Sequence, residues 1–151
     1  MKKILFSAML LTGLGITSAF ASEPLPEETA AAKNFKKEFA GAEYVKWNSI
    51  GDYQKASFLL GGHRAEAYFD ADGMLAGSVR DVFYDQLPLA VMKTVDSRFS
   101  NADIIDVREI SNADGTSYKV ELESASKRYT LKLSSAGDLL EKKAVKFTPR
   151  S

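Results

Sequence analysis

Few residues of this chain could carry chemistry, and their types narrow what that chemistry could be. Cysteine is absent and histidine occurs once, at His63. A thiol nucleophile is therefore impossible, and a zinc site built from Cys and His has too few ligands. A Ser-His-Asp arrangement would need His63 oriented by a buried acid. The stretch "GGHR" at 61–64 reads instead as a hairpin tip carrying an exposed turn residue. "DADG" at 70–73 and "NADG" at 112–115 invite comparison with calcium loops. An EF-hand loop needs oxygen ligands at alternate positions, glycine at the sixth and a closing acid at the twelfth. Counted from Asp70 the twelfth is Asp81, but the fifth and sixth are Met74 and Leu75. Hairpin turns, which favour Asp-Gly, account for both stretches. The glycines of "GLGITSAF" fall in the leading segment and make no phosphate cradle. The sequence thus assigns no catalytic residue, no metal ligand and no cofactor, and reads as a non-enzyme.

What remains are side chains suited to recognition. Tyr44, Lys46, Arg64, Tyr68 and Arg108 fall on strand-like alternating stretches, with Phe83 and Tyr84 on a connecting segment. Tyrosine and arginine are the anchors that protein interfaces favour. The plain alternative is a solvated sheet face, because tyrosine also has high strand propensity. Trp47, the only tryptophan, could be a stacking platform, yet its phase with Val45 places it in the core.

These candidates need a frame, and the frame starts after a leader. Lys2 and Lys3 precede an uncharged run from Ile4 to Ala19, and Ala19-Phe20-Ala21 fits a small-x-small cleavage pattern. This is the pattern of a secretory signal peptide over 1–21, cut after Ala21, and the run is short for a spanning helix. The expected mature chain is periplasmic or secreted. Without cysteine it carries no lipid anchor of the lipoprotein type, and with no disulfides it depends on its core. Removing Lys2 and Lys3 leaves 18 basic against 20 acidic side chains. That balance argues against nucleic acid and gives no reason to expect an anionic membrane as partner.

The chain states one pattern twice. At an offset of sixty, Ala31, Phe35 and Phe39 fall on Val91, Val95 and Phe99, the single apolar stripe of a one-sided helix. Ala42, Val45, Trp47, Phe58 and Leu60 fall on Ala102, Ile105, Val107, Tyr118 and Val120. At an offset of 64, Ala67, Phe69, Gly73 and Leu75 fall on Leu131, Leu133, Gly137 and Leu139, as if a hairpin loop had gained four residues. The first copy reads as a helix over Glu27–Phe39 and strands at Glu43–Ile50, Tyr53–Leu60, Arg64–Asp70 and Met74–Val82. The second reads as a helix from Pro88 to Phe99 and strands at Asp103–Ser111, Thr116–Glu123, Lys127–Leu133 and Leu139–Phe147. Prolines and acids at helix starts and Gly-bearing turns between strands support these bounds. Val45, Trp47, Ala56, Phe58, Leu60, Ala65, Ala67 and Phe69 share one strand phase, whereas Tyr44, Lys46, Lys55, Ser57, Arg64, Glu66 and Tyr68 share the other. One apolar face at period two describes a sheet covered by helices on one side and open to water on the other. The fourth strand of each copy, in "MLAGSVRDV" and "LLEKKAVKF", has no cleanly apolar phase.

The stretches "EFAGAEYVKW", "YFDADG" and "LPLAVMKTVDSRF", following a leader and passed through twice, resemble the PepSY-like, beta-lactamase-inhibitor-like periplasmic proteins of Bacteroidetes-type bacteria. The second pass departs from the pattern at Val107, where the tryptophan would stand, and at "KLSSAG" in place of "YFDADG". The resemblance implies tandem units making one curved antiparallel sheet, and no enzymatic activity; the inhibitor in the name is an analogy of fold.

The reading is an α+β protein of two helix-plus-four-stranded antiparallel repeats, 22–86 and 87–151, forming one curved sheet with helices on one face. It is expected to be a monomer that captures another envelope protein or an extended peptide on its open face, with a small-ligand carrier or sensor as the alternative.

Overall fold

The structure is a computed structural model that describes residues 29–146. The leader with its cleavage point, the expected helical residues before Thr29 and the terminal 147–151 lie outside the described residues. The order is α1 (Ala30–Glu38), β1 (Glu43–Ile50), β2 (Tyr53–Leu60), β3 (His63–Phe69), β4 (Leu75–Asp81), a 3-10 turn (Tyr84–Gln86), α2 (Leu89–Phe99), β5 (Asp103–Asn112), β6 (Gly115–Glu123), β7 (Lys127–Ser134) and β8 (Leu139–Lys146). The strands form one eight-stranded sheet in sequence order, antiparallel throughout.

Local chemistry sets the element ends. The Thr29 hydroxyl accepts from the Ala32 N–H at 3.2 Å, so Thr29 caps α1, whose first described helical residue is Ala30. Lys36 and Lys37 sit in its last turn, where they complement the helix dipole. Nine residues make a marginal helix on their own, so packing must hold it. Between β2 and β3 the turn is Gly61-Gly62, with φ +58° and +82°, the positive pair that a tight hairpin requires. His63 is therefore the first residue of β3, half-buried and paired with Leu60, and not the tip of the loop.

Directly opposed residues share a face. Following partners across the ladders, Ala65, Arg80, Glu109, Tyr118 and Leu133 lie on one side, the side both helices cover. There α1 buries Phe35 against Ala56, Phe58, Ala65, Ala67 and Phe69. Likewise α2 buries Val91 and Val95 against Val107, Tyr118, Val120, Leu122, Leu131 and Leu133. Trp47 packs partly buried against the first cluster, its ring 5.4 Å from Phe35 and 5.7 Å from Phe69, which makes it a core residue. Between the clusters the covered side turns polar: Arg80 Nε meets Glu109 Oε1 at 2.9 Å, and Ser78 stands opposite Ser111. This seam explains why β4 has no apolar phase toward the helices. Its buried residues, Gly77 and Val79, face the other way.

Two expectations need correction. Val45 is 37 % exposed, because the β1–β2 register shifts between Glu43 and Lys46 and breaks the alternation there. The β5–β6 hairpin has longer arms than the β1–β2 hairpin. Trp47 stands opposite Ala56 and Val107 opposite Val120, while both hairpins close on two residues. Both strands are therefore longer, and Phe58 corresponds in ladder position to Leu122, not Tyr118. A shift by an even number leaves a period-two pattern intact, so apolar matching could not detect it.

Candidate binding face

The uncovered side of the sheet is built from the alternate residues of the same strands. One row of partners runs Lys46, Ser57, Glu66, Val79, Ile110, Ser117 and Ser134. A neighbouring row runs Asp81, Arg108, Lys119, Lys132 and Glu141. Glu66 on β3 and Lys143 on β8 line the same hollow of 280 Å³. In a flat sheet, strands five apart would lie roughly 24 Å from each other, so the face is concave. Register shifts between Glu43 and Lys46, Tyr68 and Phe69, Ile104 and Asp106, and Lys132 and Leu133 provide the bends.

The face carries a connected polar network. The Tyr68 hydroxyl donates to Glu66 Oε2 at 2.7 Å, and Lys55 Nζ reaches Glu66 Oε1 at 3.0 Å. Burial would raise the Glu66 carboxyl, but the bonds from Tyr68 and Lys55, with the Lys55 and Arg108 charges, together hold it below the ordinary value. Burial and the Glu66 carboxylate push the Tyr68 hydroxyl well up, so it stays a proton donor. Arg64 Nε meets Asp81 Oδ2 at 2.7 Å, while Arg108 Nε lies 3.6 Å from Asp81 Oδ1 and 2.9 Å from Asp106 Oδ2. The buried Arg108 Nε nonetheless makes no hydrogen bond among the described residues, since neither carboxylate is aligned with its N–H.

The structure brings Lys46, Arg64, Tyr68 and Arg108 together on this face. Tyr44 stands at the bulge that opens β1, 77 % exposed, with φ +53°. A bulky residue in the left-handed region is uncommon and strained, and here it holds an aromatic ring out in solvent. Phe83 and Tyr84 are placed elsewhere. Phe83 lies edge-on to His63 at 5.0 Å, and His63 shares the strand phase of Ala65 on the helix side. The Tyr84 hydroxyl donates to Met92 O at 3.2 Å and Asp96 Oδ1 at 2.7 Å, tying the loop to α2, and burial raises it well above the usual phenol range. Sequence reasoning missed Val79, Ile110, Lys119 and Lys132. Their alternation was visible, but which residue stands opposite which was not.

The two Asp-Gly loops spend their side chains on turns. Asp70 Oδ1 accepts from the N–H groups of Asp72 and Met74 at 3.0 and 2.8 Å, and Asn112 Oδ1 accepts from Asp114 N–H at 2.9 Å. Among the described residues no group of three or more His, Asp or Glu side chains could hold a metal ion. No described helix is long and apolar enough to cross a membrane.

This arrangement, two helices on one side of a concave eight-stranded antiparallel sheet, occurs in solved structures. A BLIP-like protein of Bacteroides fragilis is 27 % identical, with a TM-score of 0.70 over 85 % of this chain and 93 % of that one. The chain has a BLIP-like fold. A DUF2874 family protein of Bacteroides uniformis, 20 % identical, matches with a TM-score of 0.70 over 81 % of this chain and 89 % of that one. A proposed periplasmic protein of Bacteroides eggerthii, 17 % identical, matches with a TM-score of 0.72 over 81 % and 90 %. No family model matches the sequence, and no curated protein matches it. The BLIP-like fold leaves its uncovered sheet face concave here, with Tyr44 at one margin and the hollow toward β8.

Proposed function

We propose that this protein is an exported, non-catalytic binding module that captures another envelope protein, or an extended peptide, on the concave face of its sheet. The observation that carries the reading is the face itself. It is concave and bears half-buried Tyr68 and Arg108, and its edge strand β1 carries a strained, solvent-held Tyr44. Tyrosine and arginine are the anchors that protein interfaces favour. The BLIP-like neighbour and the proposed periplasmic one support an inhibitor-like role in the envelope, with the partner a periplasmic enzyme such as a peptidase whose cleft the protein occludes. The leader over 1–21 fits that compartment.

We further read the chain as two tandem, PepSY-like units acting as one monomeric body. Equivalent bonds support this: Asn34 Nδ2 donates to Gly73 O at 2.7 Å and Thr94 Oγ1 to Gly137 O at 2.8 Å. Ala42 N–H bonds Phe39 O, and Ala102 N–H bonds Phe99 O. A small-ligand carrier has less support, because the space beneath α1 is filled by the edge-on and tilted rings of Phe35, Phe39, Trp47, Phe58 and Phe69.

The test is recovery of partners from envelope extract of the source organism by the mature protein and by a Tyr44→Ala/Tyr68→Ala variant of verified fold. The variant is expected to lose the proteins that the parent retains. Equal recovery would mean that this face is not the site.

A further inference from the structure

The row Asp81, Arg108, Lys119, Lys132, Glu141 crosses five strands of the open face. Its outer members alternate in sign with their neighbours, but the three in the middle are all cations. Adjacent strands lie about 4.8 Å apart, so Lys119 stands between two like charges at the closest spacing a sheet allows. Such a row is unfavourable for the fold itself, and nothing in the core requires it.

Internal pairing covers the row incompletely. Lys119 Nζ reaches Glu121 Oε1 at 2.7 Å, while Glu141, which faces Lys132, is taken by Lys143 at 3.2 Å. Lys132 has no ion pair within 4 Å among the described residues. Arg108 Nε lies 2.9 Å from Asp106 Oδ2 and 3.6 Å from Asp81 Oδ1, so its charge is met although its N–H is aligned with neither carboxylate. All three cations line the 280 Å³ hollow with Lys143, facing the carboxylates of Glu66, Asp114 and Glu141, which leaves cations in excess by one; Ser117, Thr130 and the apolar Val79 also line it.

Resting on the capture reading above, we propose that this hollow receives an acidic segment of the partner protein, with a carboxylate seated on the Arg108–Lys119–Lys132 row. A carboxylate supplies the acceptor that Lys132 Nζ lacks, and it relieves the repulsion centred on Lys119. Ser117 and Thr130 can donate to its second oxygen or to the segment's backbone, and Val79 offers an apolar floor for the methylenes of a glutamate. The contact sits on β5 to β7, so the second half of the chain supplies the charge recognition while Tyr44 and Tyr68 supply area from the first.

Three labelled nonapeptides, alternating threonine with glutamate, glutamine or lysine, test this by fluorescence anisotropy with the mature protein at low ionic strength. The glutamate peptide is expected to bind about tenfold or more tighter than the other two, and Lys119→Gln/Lys132→Gln to remove about tenfold of that affinity, the effect of one partly desolvated ion pair. Lys33→Gln/Lys93→Gln, on the helices, is expected to leave binding unchanged. Because Lys119 is flanked by cations, Lys119→Gln should leave Tm unchanged or raise it, which separates lost recognition from lost fold. Equal binding of the glutamate and glutamine peptides would overturn the acidic partner while leaving capture on this face standing. Binding of none of the three would count against both. An equal loss in the helix variant, or displacement by millimolar inorganic phosphate at matched ionic strength, would also overturn the proposal, the last by showing a small-anion site.

Discussion

Gly73→Ala is expected to destabilise the protein by ~2–5 kcal/mol, combining a side chain forced into the left-handed region with overpacking. Gly73 has φ +77°, and an added Cβ would lie 2.6 Å from both Ala30 Cβ and Ala31 N. Ala31 N is backbone of the first turn of α1, and Ala30 Cβ is fixed rigidly to that backbone, so neither can rotate away. The same contact is secured by Asn34, which donates to Gly73 O at 2.7 Å, so a displaced loop also loses that bond. Gly137→Ala should behave alike, since its Cβ would meet Ala90 O at 2.5 Å at the start of α2. Gly62→Ala is the control: φ is +82°, but nothing lies within 4 Å of the added atom, so only the backbone strain of roughly 1–2 kcal/mol applies. Urea unfolding midpoints of the three variants measure the difference. If Gly73→Ala cost no more than Gly62→Ala, the close approach of helix and loop would not exist in solution.

The second large effect is expected at Phe35. Its ring is 5 % exposed and lies 4.9 to 6.3 Å from those of Phe39, Trp47, Phe58 and Phe69. It is the one large side chain that α1 buries completely enough to hold a nine-residue helix on the sheet. Phe35→Ala should cost ~3–5 kcal/mol, the usual range for emptying a buried phenylalanine site. Trp47 reports the change directly, because removing the ring beside it should red-shift the fluorescence of the only indole in the chain. A cost below about 1.5 kcal/mol, the range of well-tolerated core swaps, with an unmoved emission maximum, would show that α1 is not anchored there.

Much of this fold was legible in the sequence because both periods are strong. The i, i+4 stripe of Ala31 and Phe35 and the alternation of Ala65, Ala67 and Phe69 each lead to residues that the structure buries. Where legibility failed, the failure has a physical source. A bulge at the start of β1 turned Val45 outward, and no periodic pattern announces a bulge. The longer arms of the β5–β6 hairpin leave no mark in the apolar pattern, because period-two matching is blind to even shifts. The Thr29 cap is hard to read from sequence because Pro26 and the glutamates after it offer an earlier, competing helix-start signal.

The candidate site was legible only in composition. Tyr68, Arg64 and Arg108 were placed on the correct strand phase, which alternation alone can do. That Arg108, Lys119 and Lys132 form one row depends on three ladder registers, and register is set by turn geometry between distant segments. Phe83 and Tyr84 were drawn in by residue type. Tyr84 instead fastens the connecting loop to α2 through Asp96, a contact that nothing local in the sequence encodes.

The central claim, that the open sheet face does the capturing, is tested most directly by site-specific photo-crosslinking in the organism that makes the protein. A photoreactive residue would replace Ser57, Ile110 or Thr130 on the open face, or Lys33 or Lys93 on the helices. The account predicts adducts of one common mass from the three sheet positions and none from the two helical ones. Adducts arising from the helical positions alone would contradict it.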